Sequence, residues 1–519
     1  MPGRSRAPIA IAAAIGAHLT ALRAGFVWLD HAHIEDRAAL VEKGDLVSAF
    51  THGFAGTGYY RPLVSLSLSL DAALGGPLVF HATNLLLHAA AAAMTTVAGE
   101  ALGLTRRAAL FAGVLFAVHP LSSLVASAIA FRSESLLVIA LLGLVWAHVR
   151  ERPLLAAAAV AVAALTKETG LALAPLLVVA LALGRRAQGS PAARPPLRPK
   201  LLVAEALALA ACVALRVRFA PSWRASHEPL SAADALGTRL ASIGKAGAAV
   251  LLPIDRGVCD AFSVTHPWQP GAVAGLAILV VIAILAWRER GVALLLALSL
   301  LPMLQLVPVA RWWSPHYLYL PFAFVAMRVG AFVEERLGKT SVRVVGGAAA
   351  LLGALSLHDG LRYLDDTELW APEVKRQPTC LEGQFYLGEV ERLAKRWEPA
   401  ARRYEAALAP RAGVLAYVDR GAALQNLGTV RLEQGRHAEA RRAFASALEG
   451  TRDPSRRREL THDLAAAALG EGDAADALRL LEPELARPDA MKPSLALAAS
   501  ALERLGRAGE AEALRARAR

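Results

Sequence analysis

The stretch PLVFHATNLLLHAAAAAMTTVAGEALGLTRRAALFAGVLFAVHPLSSLVASA (77–128) holds two long apolar runs parted by Arg106 and Arg107. A hydrocarbon core about 30 Å thick is crossed by roughly 20 apolar residues in helical form. The stretch therefore predicts two membrane-crossing helices, 77–98 and 108–128, joined by a basic turn. The same pattern recurs on both sides. It predicts further spans near 7–24, 133–149, 153–166, 169–184, 201–218, 271–287, 291–309, 317–333 and 342–357, about eleven spans in all. The first follows Arg4 and Arg6 as a signal peptide would. The many spans behind it, and no clear small-residue cleavage site, favour an uncleaved anchor.

Composition agrees. Of 519 residues, 55% are hydrophobic and 19% charged, below the roughly 25% charged that is usual for soluble domains, and the mean hydropathy is +0.41. Charges are sparse before about residue 360 and crowded after it. The reading is an all-α chain with a polytopic transmembrane bundle at 1–360, a junction at 361–379 and a soluble helical domain at 380–519. Much of the net charge of +12 sits in short clusters between apolar runs, where the positive-inside rule places it, so no nucleic-acid partner is expected. Those clusters are Arg106–Arg107, Arg150–Arg152, the Pro- and Arg-rich linker 185–200, Arg288–Arg290 and Arg336–Arg343. A cytoplasmic N-terminus and eleven spans put all five inside, provided 236–254 is interfacial or re-entrant. The tail then emerges on the far side. Ala- and Arg-rich usage fits a high-GC bacterium, which makes the membrane the inner one and the far side the periplasm. Cys212, Cys259 and Cys380 match no metal spacing. Cys212 reads as a small core residue, and Cys259 and Cys380 can pair only if both face an oxidising compartment.

In the tail, FYLGEVERLAKRWEPAARRYEAALAP (385–410) and LQNLGTVRLEQGRHAEARRAFASALEG (424–450) share Leu-Gly, a charged turn and an Ala-rich second helix with an aromatic. Aligning Leu387-Gly388 with Leu427-Gly428 gives a spacing of 40. Weaker copies follow at 462–486 and 495–517. The pattern resembles a tetratricopeptide array, an α-solenoid that binds an extended acceptor or partner peptide along one face. A plain helical cap with no partner is the bland alternative.

Polar residues at membrane depth or at span ends are costly and mark candidate sites. The loop FVWLDHAHIEDRAAL (26–40) crowds Asp30, His31, His33, Glu35 and Asp36. A carboxylate there can take a proton from an acceptor hydroxyl or hold a divalent cation, the one cofactor the sequence leaves open. Arg61 precedes an apolar run and can pair with a lipid phosphate. His81, Asn84 and His88 share one helix face and read first as bonds to neighbouring helices. His119-Pro120 should kink or end a helix, with Arg132 and Glu134 beyond it. Lys167 and Glu168 interrupt LTKETG, and Arg311, His316 and Tyr317 crowd VPVARWWSPHYLYLP. Several cations beside an acidic loop suit a lipid-linked phosphosugar, with the cations neutralising the departing phosphate and the carboxylate activating the acceptor.

The segments YYRPLVSLSLSLDAALGG, FHATNLLLHA, LFAVHPLSSLVASAIAFRSESL, LTKETGLALAPLL and PVARWWSPHYLYLP, in that order, with ELWAPEVKRQP leading into the repeats, resemble the transmembrane and tetratricopeptide-repeat O-mannosyltransferases, polytopic glycosyltransferases of the GT-C type. The resemblance implies transfer of a sugar, mannose in eukaryotic members, from a polyprenyl phosphate to a protein hydroxyl on the non-cytoplasmic side. It implies a catalytic acid at Asp30, with Glu35 or Asp36 in support, because Leu29 stands where the family shows the first of two Asp. It further implies donor-phosphate cations at Arg61, Arg132, Lys167, Arg311 and His316, the last standing where the family has Arg. His31, His119, Glu134, Glu168 and Tyr317 would line the pocket. The departures at Leu29 and His316 leave a second reading, a catalytically inactive scaffold of the same fold acting through its tail. A transporter is a third, against which the membrane half offers no internal repeat.

Overall fold

Helix follows helix through the described residues. The computed structural model describes residues 6–41, 45–187, 198–220, 230–253, 257–289, 291–306, 309 and 311–519. Its only strands among these are Phe262–Ser263 and Val414–Leu415. Most of the expected linker 185–200 lies outside the described residues, as do Arg4 and Arg290. The chain divides into two compact units, Met1–Val258 with Phe262–Leu369, and Cys259–Ala261 with Trp370–Arg519.

The first unit carries α1 (Ala7–Ala17), α2 (Ser48–Thr51), α3 (Pro62–Leu74), α4 (Pro77–Ala101), α5 (Arg106–Val118), α6 (Ser123–Ser127), α7 (Arg132–Val149), α8 (Pro153–Thr166), α9 (Glu168–Ala187), α10 (Pro199–Phe219), α11 (Ala232–Leu251), α12 (Pro270–Glu289), α13 (Val292–Ser299), α14 (Tyr319–Leu337), α15 (Ser341–Gly360) and the start of α16 (Asp366–Arg376). Proline opens α3, α4, α8 and α10, where its missing N–H is no loss. Thr105 and Ser231 cap α5 and α11 by accepting from the N–H of Ala108 and Asp234.

Among the described residues, four helical stretches are long and apolar enough to cross a membrane: Pro77–Ala101, Ile129–Val149, Pro270–Arg288 and Pro315–Tyr363. Arg106–Val118 with Pro120–Ser127, bent by 55°, makes a fifth if the pair is one crossing. The bend falls at the expected His119-Pro120 break, where proline cannot continue the hydrogen-bond ladder. Pro315–Tyr363 is 49 residues long and holds both spans expected at 317–333 and 342–357, with Gly338 at φ 51° between them. Shorter apolar helices occupy the expected spans at 7–24, 153–166, 169–184 and 291–309. α10 covers the one at 201–218 but carries Glu205, Arg216 and Arg218. Apolar helix α3 was not expected as a separate element. α12 shows most plainly what surrounds it. Trp268 and Trp287 stand exposed at its two ends, and Val273, Leu276, Val280, Val281 and Ile284 are exposed between them. An apolar surface closed at both ends by tryptophan suits lipid. α11 packs on α12 through glycines: a Cβ on Gly244 would strike the Gly271 carbonyl, and one on Gly275 the Leu240 carbonyl.

The second unit continues α16 and adds α17 (Leu381–Leu393), α18 (Trp397–Leu408), α19 (Arg420–Glu433), α20 (His437–Gly450), α21 (Pro454–Gly470), α22 (Ala474–Leu485), α23 (Lys492–Arg504) and α24 (Ala508–Ala518). Gly388 of α17 lies under the Tyr404 ring of α18, and 40 residues on Gly428 of α19 lies under Phe444 of α20, each leaving under 3 Å for a Cβ. Glycine is what lets an aromatic ring seat on the partner helix. Cys259 and Cys380 form a disulfide with Cα atoms 5.7 Å apart. Asp260 accepts from the Tyr417 N–H at 2.9 Å, and Gln377 donates to the Ala261 carbonyl at 3.0 Å. Cys212 is a buried free thiol.

Candidate functional site

The first loop leaves α1 through a 3-10 turn, Leu19–Arg23, and reaches Trp28 at φ 60°, a left-handed conformation rare for a bulky side chain. The Trp28 N–H donates to Asp366 Oδ1 at 2.8 Å. A single π-helical turn, His31–Glu35, follows. Asp30, just before it, is fully buried. Its carboxylate accepts from the N–H of Ala130 at 2.7 Å and of Val27 at 3.4 Å. Burial pushes its pKa up to about 7, against the pull of those amides. His31 sits between two carboxylates, with Nε2 on Asp366 Oδ2 at 2.7 Å and Nδ1 on Glu35. The bond to Asp366, aided by Glu35, raises its pKa to about 9, so at neutral pH it is an imidazolium. His33 is driven the other way, to about 4, by burial and then by Arg61 and Arg311. Glu35 and Asp36 are exposed.

The expected cations gather beside this loop. Arg61, just ahead of α3, donates to Glu168 Oε2 from Nη2 at 2.9 Å and from Nε at 3.1 Å. Its guanidinium lies 4.3 Å from the Tyr59 ring centre. Glu168, opening α9, also accepts from the Tyr60 N–H at 2.9 Å and has Arg216 Nη1 3.7 Å away. Lys167 pairs with Glu134, and His316 Nε2 is 3.5 Å from the same carboxylate. His316 bonds Ser314 through Nδ1 at 2.6 Å. Tyr317 donates to the Arg311 carbonyl at 2.9 Å, and the Arg311 guanidinium rests 5.4 Å from the Trp28 ring centre. Phe131 joins the halves, its ring 4.9 Å from Trp28 and 4.7 Å from His316. Lys167, Arg311 and Arg61 all act electrostatically on His316. Arg61, Lys167 and Arg216 thus meet two carboxylates, Glu134 and Glu168, with Arg311 nearby on the Trp28 ring. Positive charge gathered in a setting shielded from water suits an anion.

Two expected residues are placed differently. Arg132 is completely buried. It bonds Asp71 Oδ2 at 2.6 Å, Asn84 Oδ1 at 2.7 Å, Ser67 Oγ at 3.0 Å and the Phe80 carbonyl at 2.9 Å. Every guanidinium nitrogen is engaged in tying α3 and α4 to α7. His119 accepts from the Leu121 N–H, donates to the Val250 carbonyl at 3.1 Å and packs on Phe322. His81, Asn84 and His88 reach the carbonyls of Gly25, Ala128 and Ala117 on neighbouring segments.

Sequence reasoning missed Asp366, Asp71 and Arg216. Asp71 and Arg216 carried a usable signal, a charge inside an apolar helix. Asp366 did not, since it stands in an ordinary acidic junction and its partners lie 335 and 338 residues away. Among the described residues no group of three or more His, Cys, Asp or Glu side chains is placed to hold a metal ion.

No family model matches the chain. Part of it is similar to curated proteins named protein O-mannosyl-transferase. It is 35% identical to Tmtc1 of Drosophila melanogaster over 119 residues, 20% of this chain and 13% of the relative. Identity to Tmtc2 of Drosophila melanogaster is 32% over 134 residues, 22% and 14% of the two chains. For TMTC2 of Mus musculus it is 30% over 136 residues, 24% and 16%. This homology supports the family resemblance over a fifth to a quarter of the chain, and the matched part spans 13% to 16% of those relatives' length.

Proposed function

We propose that this chain is a membrane glycosyltransferase that moves a sugar, mannose first among candidates, from a polyprenyl phosphate to protein hydroxyls on the non-cytoplasmic side of a bacterial inner membrane. The observation that carries the reading is the gathering of Arg61, Lys167, Arg311 and His316 beside the first loop. Partial homology to O-mannosyl-transferases supports the reaction class. In this reading the membrane half is a GT-C-like bundle of about eleven spans, and the tail is a tetratricopeptide-like solenoid that holds the acceptor. The acceptor oxygen bonds to the sugar C1 as the bond from C1 to the phosphate oxygen breaks. The acceptor proton passes to Asp30, and polyprenyl phosphate departs carrying the electron pair. Arg61, Lys167 and Arg311 neutralise the phosphate as its charge grows, while His316 and Tyr317 line the donor pocket.

The test is release of polyprenyl phosphate from polyprenyl-phosphate sugars by the purified full chain, across pH. We expect release to rise through about pH 7 as Asp30 loses its proton, and Arg311→Gln to lower it by about a hundredfold. One observation favours the inactive-scaffold reading: Asp30 is sealed, both carboxylate oxygens accepting backbone N–H groups. Folded protein that binds polyprenyl phosphate yet releases none from any donor would decide for the scaffold.

A further inference from the structure

Asp366 opens α16, where a carboxylate ordinarily serves its own helix. Here Asp365 does that, its Oδ1 accepting from the Glu368 N–H at 2.9 Å. The Asp366 carboxylate, 7% exposed, turns to the first loop instead, with one oxygen on the Trp28 N–H at 2.8 Å and the other on His31 Nε2 at 2.7 Å. The preceding turn makes a parallel tie, Gly25 N–H to the Leu364 carbonyl at 3.1 Å. Trp28 needs such a hold, because its backbone is left-handed and a bulky residue keeps that conformation only when its surroundings fix it.

What Trp28 supports gives the bond its meaning. Its ring carries the Arg311 guanidinium on one contact and Phe131 on another. Asp30 lies two residues on and bonds Ala130, beside Phe131. His31, held by Asp366, in turn holds the exposed Glu35.

We infer that Asp366 is a positioning residue of the candidate site. It locks the Trp28 turn and thereby sets both the Arg311 cation and the Asp30 carboxylate. The inference rests on the glycosyltransferase reading above. It departs from a purely structural role, which would lower the amount of active protein while leaving the KM for donor unchanged.

The experiment compares wild type, Asp366→Asn, Asp366→Ala and Asp365→Asn as full chains in vesicles containing polyprenyl-phosphate mannose, measuring kcat and the KM for donor on the folded fraction. Asp366→Ala should lose roughly a hundredfold in kcat/KM, with KM for donor raised. Asp366→Asn keeps an oxygen for the Trp28 N–H and should recover part of that loss, and Asp365→Asn should match wild type. Turnover by wild type with an unchanged KM in both Asp366 variants overturns the role of Asp366 alone. No turnover by folded wild type overturns the reading of the site and this role with it.

Discussion

At the scale of the residue, His31 shows how position rewrites chemistry. In water an imidazole titrates near 6.5, but between Asp366 and Glu35 it holds its proton to about 9. The folded value lies above the unfolded one, so this contribution to stability is complete below about pH 6.5 and is lost as pH climbs through about 9. His31→Gln cannot titrate. The gap in Tm between wild type and His31→Gln should be widest near pH 6 and close towards pH 10, as followed by thermal unfolding in detergent. A gap constant over that range would remove the imidazolium from the account. Single residues were legible in sequence where they broke an apolar text. Arg61, Lys167 and Glu168 stood out for that reason, and the structure pairs Arg61 with Glu168. Arg132 stood out equally and proved to be an interior tie. Cost at membrane depth marks a residue as retained for a reason, without telling a ligand from a strut. Asp366 could not be read at all, because the strained turn it stabilises exists only once the chain has folded.

At the scale of the element, period and composition carried most of the information. The apolar runs became helices because only a helix satisfies every backbone group within one segment. The 40-residue match of Leu387-Gly388 to Leu427-Gly428 became two helix pairs with the same glycine under the same kind of ring. What sequence could not give was the partner of each face, such as the glycine contacts between α11 and α12. The glycine reading in the tail has a direct test. A side chain at Gly428 must displace Phe444, whose ring sits about 2.6 to 2.8 Å from where the Cβ would be. Gly428→Val should destabilise the tail by about 1–3 kcal/mol. Gly450, also helical but with nothing within 4 Å of its Cβ position, should accept Ala without loss. Urea unfolding of both variants, followed by circular dichroism, separates a packing penalty from a general intolerance of substitution at these helices. Equal effects at the two sites would remove the packing explanation.

At the scale of the whole molecule, the disulfide constrains the membrane topology by parity. Cys259 lies between α11 and α12, and Cys380 lies after α15. Two cysteines can bond only if they share a compartment, so the chain between them must cross the membrane an even number of times. The four crossings expected there, at 271–287, 291–309, 317–333 and 342–357, satisfy this. Disulfides also persist in oxidising compartments and rarely in the cytosol, which agrees with the proposal that the tail lies on the non-cytoplasmic side. Sequence left the pairing conditional on that sidedness, and the structure brings the two cysteines together with Cα atoms 5.7 Å apart. In intact cells of a bacterial host whose outer membrane has been permeabilised, a membrane-impermeant maleimide should label Leu393→Cys, a position 71% exposed in the tail. Cys212, Cys259 and Cys380 are all buried and should stay unlabelled, which leaves the introduced thiol as the reporter. Labelling that appears only after the inner membrane is opened would place the tail in the cytoplasm. That outcome would also remove the compartment in which a lipid-linked donor and a tail-bound acceptor are proposed to meet.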